Sequence, residues 1–160
     1  MKVRVGFGFD IHQLKEGSNF RLGGITIPHT KGATGHSDAD VLIHAICDAL
    51  LGATGLGDIG FHFPDSLQKY QGIDSKFFLK KVMELIRKKG YVIGNIDCTV
   101  CLERPKIAAY IADMKQTLSK TMKVSKEEIS IKATTNEKLG YIGREEGVCA
   151  YAVVLVSKKN

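Results

Sequence analysis

Val3-Arg4-Val5-Gly6-Phe7-Gly8-Phe9-Asp10-Ile11-His12 alternates apolar residues with polar residues or glycine. Side chains two apart share a face of an extended chain, so this reads as a strand. We expect its Val3, Val5, Phe7 and Phe9 face to be buried, and its other face to carry Arg4, Gly6, Gly8, Asp10 and His12.

Working outward, residues 20–22 and 25–27 read as a strand pair turned around Gly23-Gly24. Residues 37–51 read as a helix, with Ser37 as N-cap, Asp38 in the first turn and Gly52 just past the end. Phe77, Phe78, Val82, Leu85 and Ile86 predict a second helix stopped at Gly90. Ile96, Cys98, Val100 and Leu102 then line one face of a strand. A third helix is expected to enter at Pro105 and to carry Ile107, Ile111, Met114, Leu118 and Met122 at helical spacing. Strands over residues 129–134 and 148–156 close the chain, around a loop spanning residues 136–147. The last strand is apolar on both faces, which suits the inside of a sheet or an interface. This order predicts an α/β (α+β) fold, a single mixed sheet with helices on one face, rather than a doubly wound parallel one.

The 160 residues, 44% of them hydrophobic, fit one domain over 1–160 with a normal core. The chain has no apolar run of membrane-spanning length, and Met1-Lys2 leads directly into the first strand pattern, so no membrane partner and a cytoplasmic location are expected. Cys47, Cys98, Cys101 and Cys149 are expected to be reduced. Cys98 and Cys101 have chelate spacing, but within a strand an offset of three sends them to opposite faces. A net charge of +6 suits nucleic acid, an anionic surface or a phosphorylated small molecule. The lysines of residues 76–89 read as a solvated helix face and Lys158-Lys159 as a frayed end, and no RNA-binding aromatic signature, finger spacing or basic heptad is present.

Two constellations carry chemistry. Asp10 and His12 point to one side of their strand, and Asp40, His44 and Asp48 form a polar stripe on an otherwise apolar helix. One carboxylate and two imidazoles would make a three-ligand zinc site with a fourth position open. The alternative is a capping or ion-paired Asp10 with hydrogen-bonded core histidines. Asp40 and Asp48 would either orient His44 or form ion pairs. Asp58, in a glycine-rich stretch, suits either an Asx turn or sugar hydroxyls. Residues 132–138 (Lys132 to Lys138) offer hydroxyls, an amide, a carboxylate and two ammonium groups, a mixture suited to phosphate plus a hard cation.

Together these segments resemble the 2-C-methyl-D-erythritol 2,4-cyclodiphosphate synthase family. The resemblance runs through Gly8-Phe9-Asp10-Ile11-His12, Gly35-His36-Ser37-Asp38-Ala39-Asp40-Val41, His44 with Asp48-Ala49-Leu50-Leu51-Gly52, and Leu56-Gly57-Asp58-Ile59-Gly60. It continues through Phe63-Pro64-Asp65, Gly94-Asn95-Ile96-Asp97, Pro105-Lys106, Lys132-Ala133-Thr134-Thr135 to Leu139-Gly140, and Gly143-Arg144 with Glu146-Gly147.

The resemblance implies that Asp10, His12 and His44 bind zinc, that His36 and Thr135 stabilise the transition state, and that Glu137 holds a second divalent ion, magnesium or manganese. It implies that Ser37, Asp58, Ile59, Gly60, Phe63, Pro64 and Asp65 contact the sugar and erythritol side of the substrate. Lys106 with its neighbours Leu102, Pro105, Ala133 and Thr134 would frame the cytosine. The implied substrate is a cytidine diphosphate-linked small molecule, cyclised with loss of CMP. The implied assembly is a homotrimer around packed sheets, with active sites shared between subunits. Tyr141 and Arg144 would lie near its axis, beside an apolar cavity involving the region of Phe9. There Arg144 would hold the diphosphate of an isoprenoid, or else form an intersubunit salt bridge. Competing readings are a zinc-dependent phosphohydrolase acting on a nucleotide and a basic nucleic-acid-binding module with structural zinc.

Overall fold

The computed structural model describes residues 2–158. Seven strands and five α-helices follow in the order β1 (Val3–Glu16), β2 (Phe20–Leu22), β3 (Ile25–Ile27), β4 (Lys31–Thr34), α1 (Val41–Thr54), α2 (Ile59–His62), α3 (Lys76–Lys88), β5 (Tyr91–Cys101), α4 (Ile111–Met122), β6 (Ile129–Thr134), α5 (Gly140–Gly143) and β7 (Gly147–Lys158). The main sheet runs β4-β1-β7-β5-β6, and β2-β3 form a separate hairpin. Only β5 and β6 pair in parallel, α4 supplying their crossover; the other pairings are antiparallel, so the sheet is mixed as expected. The hairpin closes on Gly23 and Gly24, both in the left-handed region at φ 60° and 81°.

The apolar alternation of β1 is real, but its Val/Phe face is not the buried one. Val5, Phe7 and Phe9 are 65%, 62% and 41% exposed, while Gly6 and Gly8 are buried. The glycines lie directly beneath α1: a Cβ on Gly6 would meet the Ala53 backbone nitrogen at 2.8 Å, and one on Gly8 the Ala49 nitrogen at 2.7 Å. Without side chains at these positions, helix backbone settles onto strand backbone. Val148, Ala150, Ala152, Val154 and Val156 of β7 are buried on the same side, while Tyr151, Val153 and Leu155 are exposed on the other. The final strand is thus central in its sheet, and the helices cover one face, leaving a second apolar face bare in the single chain.

Several boundaries differ from expectation. Helix α1 starts at Val41, capped by Asp40 rather than Ser37: the Asp40 carboxylate accepts from Ile43 N at 3.0 Å, and Ala39 at φ 56° prevents the helix from starting earlier. Gly52 lies inside this helix, which ends at left-handed Gly55. The third long helix begins at Ile111, not Pro105; a short 3-10 turn, Ala108–Tyr110, precedes it. Lys158 belongs to β7 rather than to a frayed tail, and Lys159 lies outside the described residues. Cys98 and Cys101 do face opposite ways, into the main core and into a small cluster with Ile142 and Cys149 respectively, and all four cysteines are free and buried. No helix among the described residues is long and apolar enough to cross a membrane.

Candidate metal centre and substrate cleft

Asp10 and His12 project from β1 on the glycine-bearing side, toward α1, and His44 comes down from the first turns of that helix. Their donor atoms converge. Asp10 Oδ2 lies 2.9 Å from His12 Nε2 and 3.0 Å from His44 Nδ1, and the two ring nitrogens are 3.1 Å apart. Ligand atoms on a tetrahedral zinc, with bonds of about 2.0–2.1 Å, stand about 3.3 Å from one another. The triangle is therefore close to the required size, and its two imidazoles and one carboxylate form a donor set suited to such an ion. Burial alone would raise the Asp10 carboxyl, but hydrogen bonds and charge from His12 and His44 outweigh it and hold the pKa at about 2. Burial would lower His44, but the bond to Asp10 and the charge of Asp10 push it up.

The triangle opens into a cleft of about 180 Å³ lined by Asp10, His12, His36, Ser37, His44, Asp48, Ile59, Gly60, Phe63, Asp65 and Phe78. Most of the residues expected on the metal and erythritol side are therefore together. The buried His36 Nε2 has no hydrogen-bond partner among the described residues, which is unusual for a buried polar atom. Asp58 is spent as the cap of α2, where Oδ1 accepts from Phe61 N at 2.8 Å, and with Pro64 it does not line this cleft. Asp40 and Asp48 both turn to backbone nitrogens, although Asp48 also lines the cleft. Fully buried Asp40 accepts from Gly23 N at 2.9 Å and Gly24 N at 2.6 Å, fastening the β2-β3 hairpin to α1. Asp48 accepts from Ile59 N at 2.8 Å, fixing the start of α2.

The remaining expected contacts gather elsewhere. Leu102, Pro105, Lys106, Ile107, Ala133, Thr134 and Thr135 line a separate pocket of about 80 Å³. Beside it, Thr135 Oγ1 donates to Glu137 Oε1 at 3.0 Å, and Glu137 is exposed. Arg144 forms a two-pronged pair with Glu146 at 3.0 Å on each prong, and the Tyr141 ring packs near Gly147. Sequence reasoning missed Glu103: Oε1 accepts from Asn136 N and Lys138 N at 3.0 Å each, holding a loop in which Glu137 and Lys138 take positive φ. These bonds lower the Glu103 carboxyl. Ile11, Cys149, Cys101 and Thr134 stand in register across β1, β7, β5 and β6. The two groups therefore share one end of the sheet but lie three strand spacings apart, about 14 Å at ~4.8 Å per strand.

A mixed α/β chain with a two-histidine, one-carboxylate centre at the floor of a polar cleft has the makings of a metal-dependent enzyme acting on a small polar substrate. The family model described as the YgbB family matches residues 3–157, and the chain belongs to that family. Relatives from Bacteroides fragilis and Bacteroides thetaiotaomicron, both 61% identical over 99% of this chain and 99% of their own, are named 2-C-methyl-D-erythritol 2,4-cyclodiphosphate synthase. Among solved structures, the bifunctional IspDF of Campylobacter jejuni matches with a TM-score of 0.96 and 38% identity over 99% of this chain, which spans 43% of that longer protein. The Plasmodium falciparum IspF complex with CDP matches with a TM-score of 0.88 and 37% identity, covering 99% of this chain and 97% of that one.

Proposed function

We propose that this chain, acting as one catalytic domain over 1–160, converts 4-diphosphocytidyl-2-C-methyl-D-erythritol 2-phosphate to 2-C-methyl-D-erythritol 2,4-cyclodiphosphate and CMP, in the non-mevalonate route to isoprenoid precursors. The donor triangle of Asp10, His12 and His44 carries the proposal, because it lies in a cleft of a chain 61% identical to synthases of that name. An oxygen of the substrate's 2-phosphate bonds to the β-phosphorus while the bond from that phosphorus to the bridging oxygen breaks. The electron pair leaves on CMP. The nucleophile is already an anion, so no general base is required. What the protein must supply is alignment and relief of anionic repulsion.

Zinc at the triad and magnesium or manganese at Glu137 would supply the positive charge that draws the phosphate oxygens together. A single exposed carboxylate such as Glu137 suits an ion that takes its other ligands from phosphates and water. His36 offers its unpartnered Nε2 to a phosphate oxygen, and the Thr135 hydroxyl serves the opposite side of the reacting phosphorus. Ser37, Ile59, Gly60, Phe63 and Asp65 hold the erythritol, while Lys106 and its pocket hold the cytosine.

In this proposal the working unit is a homotrimer, with each site shared by two subunits. About 14 Å between the two groups in one chain is too far for both to touch one diphosphate, and the bare face of Val5, Phe7, Phe9, Tyr151, Val153 and Leu155 is available to bury against copies of itself. Four free cysteines agree with a cytoplasmic location. Mixing His44→Ala and Thr135→Ala subunits after dissociation is expected to restore about a quarter of wild-type sites by random pairing, read as CMP release. Mixed trimers without activity would show that each site is built within one chain. Label from oxygen-18 water entering product phosphate would replace cyclisation with hydrolysis.

A further inference from the structure

Ser75 stands at the N-terminus of α3, a position where a serine hydroxyl ordinarily caps its own helix, yet its side chain makes no capping bond. It is fully buried and turned toward His44 instead, with Oγ 2.9 Å from His44 Nε2. On its other side the Ser75 hydroxyl donates to Asp38 Oδ1, and Asp38 Oδ2 accepts from the Ser75 backbone nitrogen at 3.1 Å. Arg21 Nε lies 3.6 Å from that same Oδ2.

These contacts determine where the protons lie. The Ser75 proton is committed to the carboxylate, so its oxygen is left to accept, and His44 Nε2 must be the donor. Nδ1 also faces an acceptor, Asp10 Oδ2; a metal ion would take the place of the proton there, and with Nε2 held as the donor to Ser75 it is Nδ1 that is left to serve as the ligand atom beside Asp10 and His12. Ser37 Oγ also lies 3.1 Å from Nε2 but only 3.5 Å from Ser75 Oγ, and it lines the open cleft, so its hydroxyl remains available to substrate.

We propose that Ser75, gripped by Asp38, is a positioning residue that fixes the tautomer and ring orientation of His44 and thereby sets the affinity of the metal centre. The ligands of metal sites are commonly held this way by a hydrogen bond from the second ring nitrogen; here a buried hydroxyl is interposed between imidazole and carboxylate. The inference rests on Asp10, His12 and His44 being the metal ligands.

The test measures Co²⁺ and Zn²⁺ dissociation constants of the full chain by competition with a chromophoric chelator, together with the visible absorption of the Co²⁺ form. Ser75→Ala is expected to weaken binding by about 10- to 100-fold and to alter the Co²⁺ bands, and Asp38→Asn to weaken it by about tenfold. Asp74→Asn is the control. Asp74 also pairs with Arg21, at 3.0 Å, and accepts from Lys76 N at 2.9 Å, but it does not reach His44. It should lower thermal stability while leaving both metal constants within about twofold. If Ser75→Ala does not accumulate as folded protein, Asp38→Asn carries the same comparison. Wild-type affinity and spectrum in Ser75→Ala, or equal weakening in Asp74→Asn, would overturn the positioning role alone. A wild-type chain that binds neither ion would overturn the ligand assignment and this role with it.

Discussion

Replacing Gly8 by alanine tests the link between fold and site most directly. The added Cβ would lie 2.7 Å from the Ala49 nitrogen and closer still to the Ala45 carbonyl oxygen, both backbone atoms of α1. Ordinary contact begins at 3.4 Å, so strand and helix must part by at least 0.7 Å (3.4 minus 2.7). No flexible side chain is there to yield. Overpacking of this kind costs about 1–3 kcal/mol, and contact with backbone places it near 3, a fall in melting temperature of about 6–12 °C for a chain of this size. The same movement carries His44, next to Ala45, away from Asp10 and His12. Zinc–ligand distances tolerate about 0.2 Å, so a shift several times larger should weaken metal binding by at least about tenfold.

The matched control lies on the same helix. Gly52 is exposed, has ordinary helical φ, and has nothing within 4 Å of an added Cβ. Gly52→Ala should therefore stabilise the chain by about 0.5–1 kcal/mol and leave metal binding alone. Urea unfolding of both variants with a chelator present, beside metal competition without it, separates the two effects. Gly8→Ala unfolding within 1 kcal/mol of wild type, or binding metal as tightly, would refute the account of how β1 and α1 build the centre.

His44→Ala is expected to lose stoichiometric metal and CMP release while still unfolding cooperatively, since the large fully buried side chains lie elsewhere; metal analysis and a denaturation curve check both halves. In chelator-stripped protein, the raised His44 pKa contributes stability that is full below pH 6.5 and lost as pH rises through its folded value, while the lowered Asp10 pKa contributes stability present above pH 3.8 and lost as pH falls through about 2. The stripped chain should therefore show this contribution in full between pH 3.8 and 6.5, with Asp10 adding about 2 kcal/mol; Asp10→Asn should flatten the profile of urea midpoints against pH. Glu103→Ala should raise KM about tenfold by releasing the Thr135–Glu137 loop, with little change in thermal stability. An unchanged KM would deny that loop a part in substrate binding.

The ligand-type residues are legible in the sequence because their signal is local, a strand offset of two for Asp10 and His12 and a polar stripe on an apolar helix for His44, but that the three belong to one site is implied only by the family resemblance. The β2-β3 hairpin and β6 were legible for the same reason, from Gly23-Gly24 and from short apolar alternation. What escaped depends on contacts distant in sequence. Nothing near Ser75 says that its hydroxyl serves a histidine 31 positions away rather than its own helix. Glu103 likewise organises a loop 33 and 35 positions downstream. β4 is not legible because Lys31-Gly32-Ala33-Thr34 has neither alternation nor bulk; it exists because β1 runs on to Glu16 and pairs there along the edge opposite β7. Asp40 and Asp48 sit beside His44 in the stripe but turn to backbone nitrogens, which spacing alone could not distinguish from support of the imidazole.

The misreading of β1 follows from what hydropathy measures. Alternation reports that one face of a strand avoids water, but not whether it is covered by its own chain or by another. Here the chain's own core takes the glycine face, because only there can the α1 backbone come close enough for His44 to meet Asp10 and His12. The Val/Phe face is left over, continuous with Tyr151, Val153 and Leu155 of β7. Both faces of β1 thus serve the same reaction in the proposed assembly. On that proposal, glycine on one side would build the metal half of the site within a chain, and bulk on the other would draw in the neighbour whose Thr135, Glu137 and Lys106 would complete it. A substitution such as Phe7→Lys, on the exposed face, should therefore abolish activity by dispersing the subunits, with metal affinity per chain unchanged. Gly8→Ala should do the reverse, lowering metal affinity in chains that still assemble. Sedimentation and metal competition on the two variants distinguish these outcomes, and a dispersed Phe7→Lys chain that still released CMP at the wild-type rate would show that one subunit suffices.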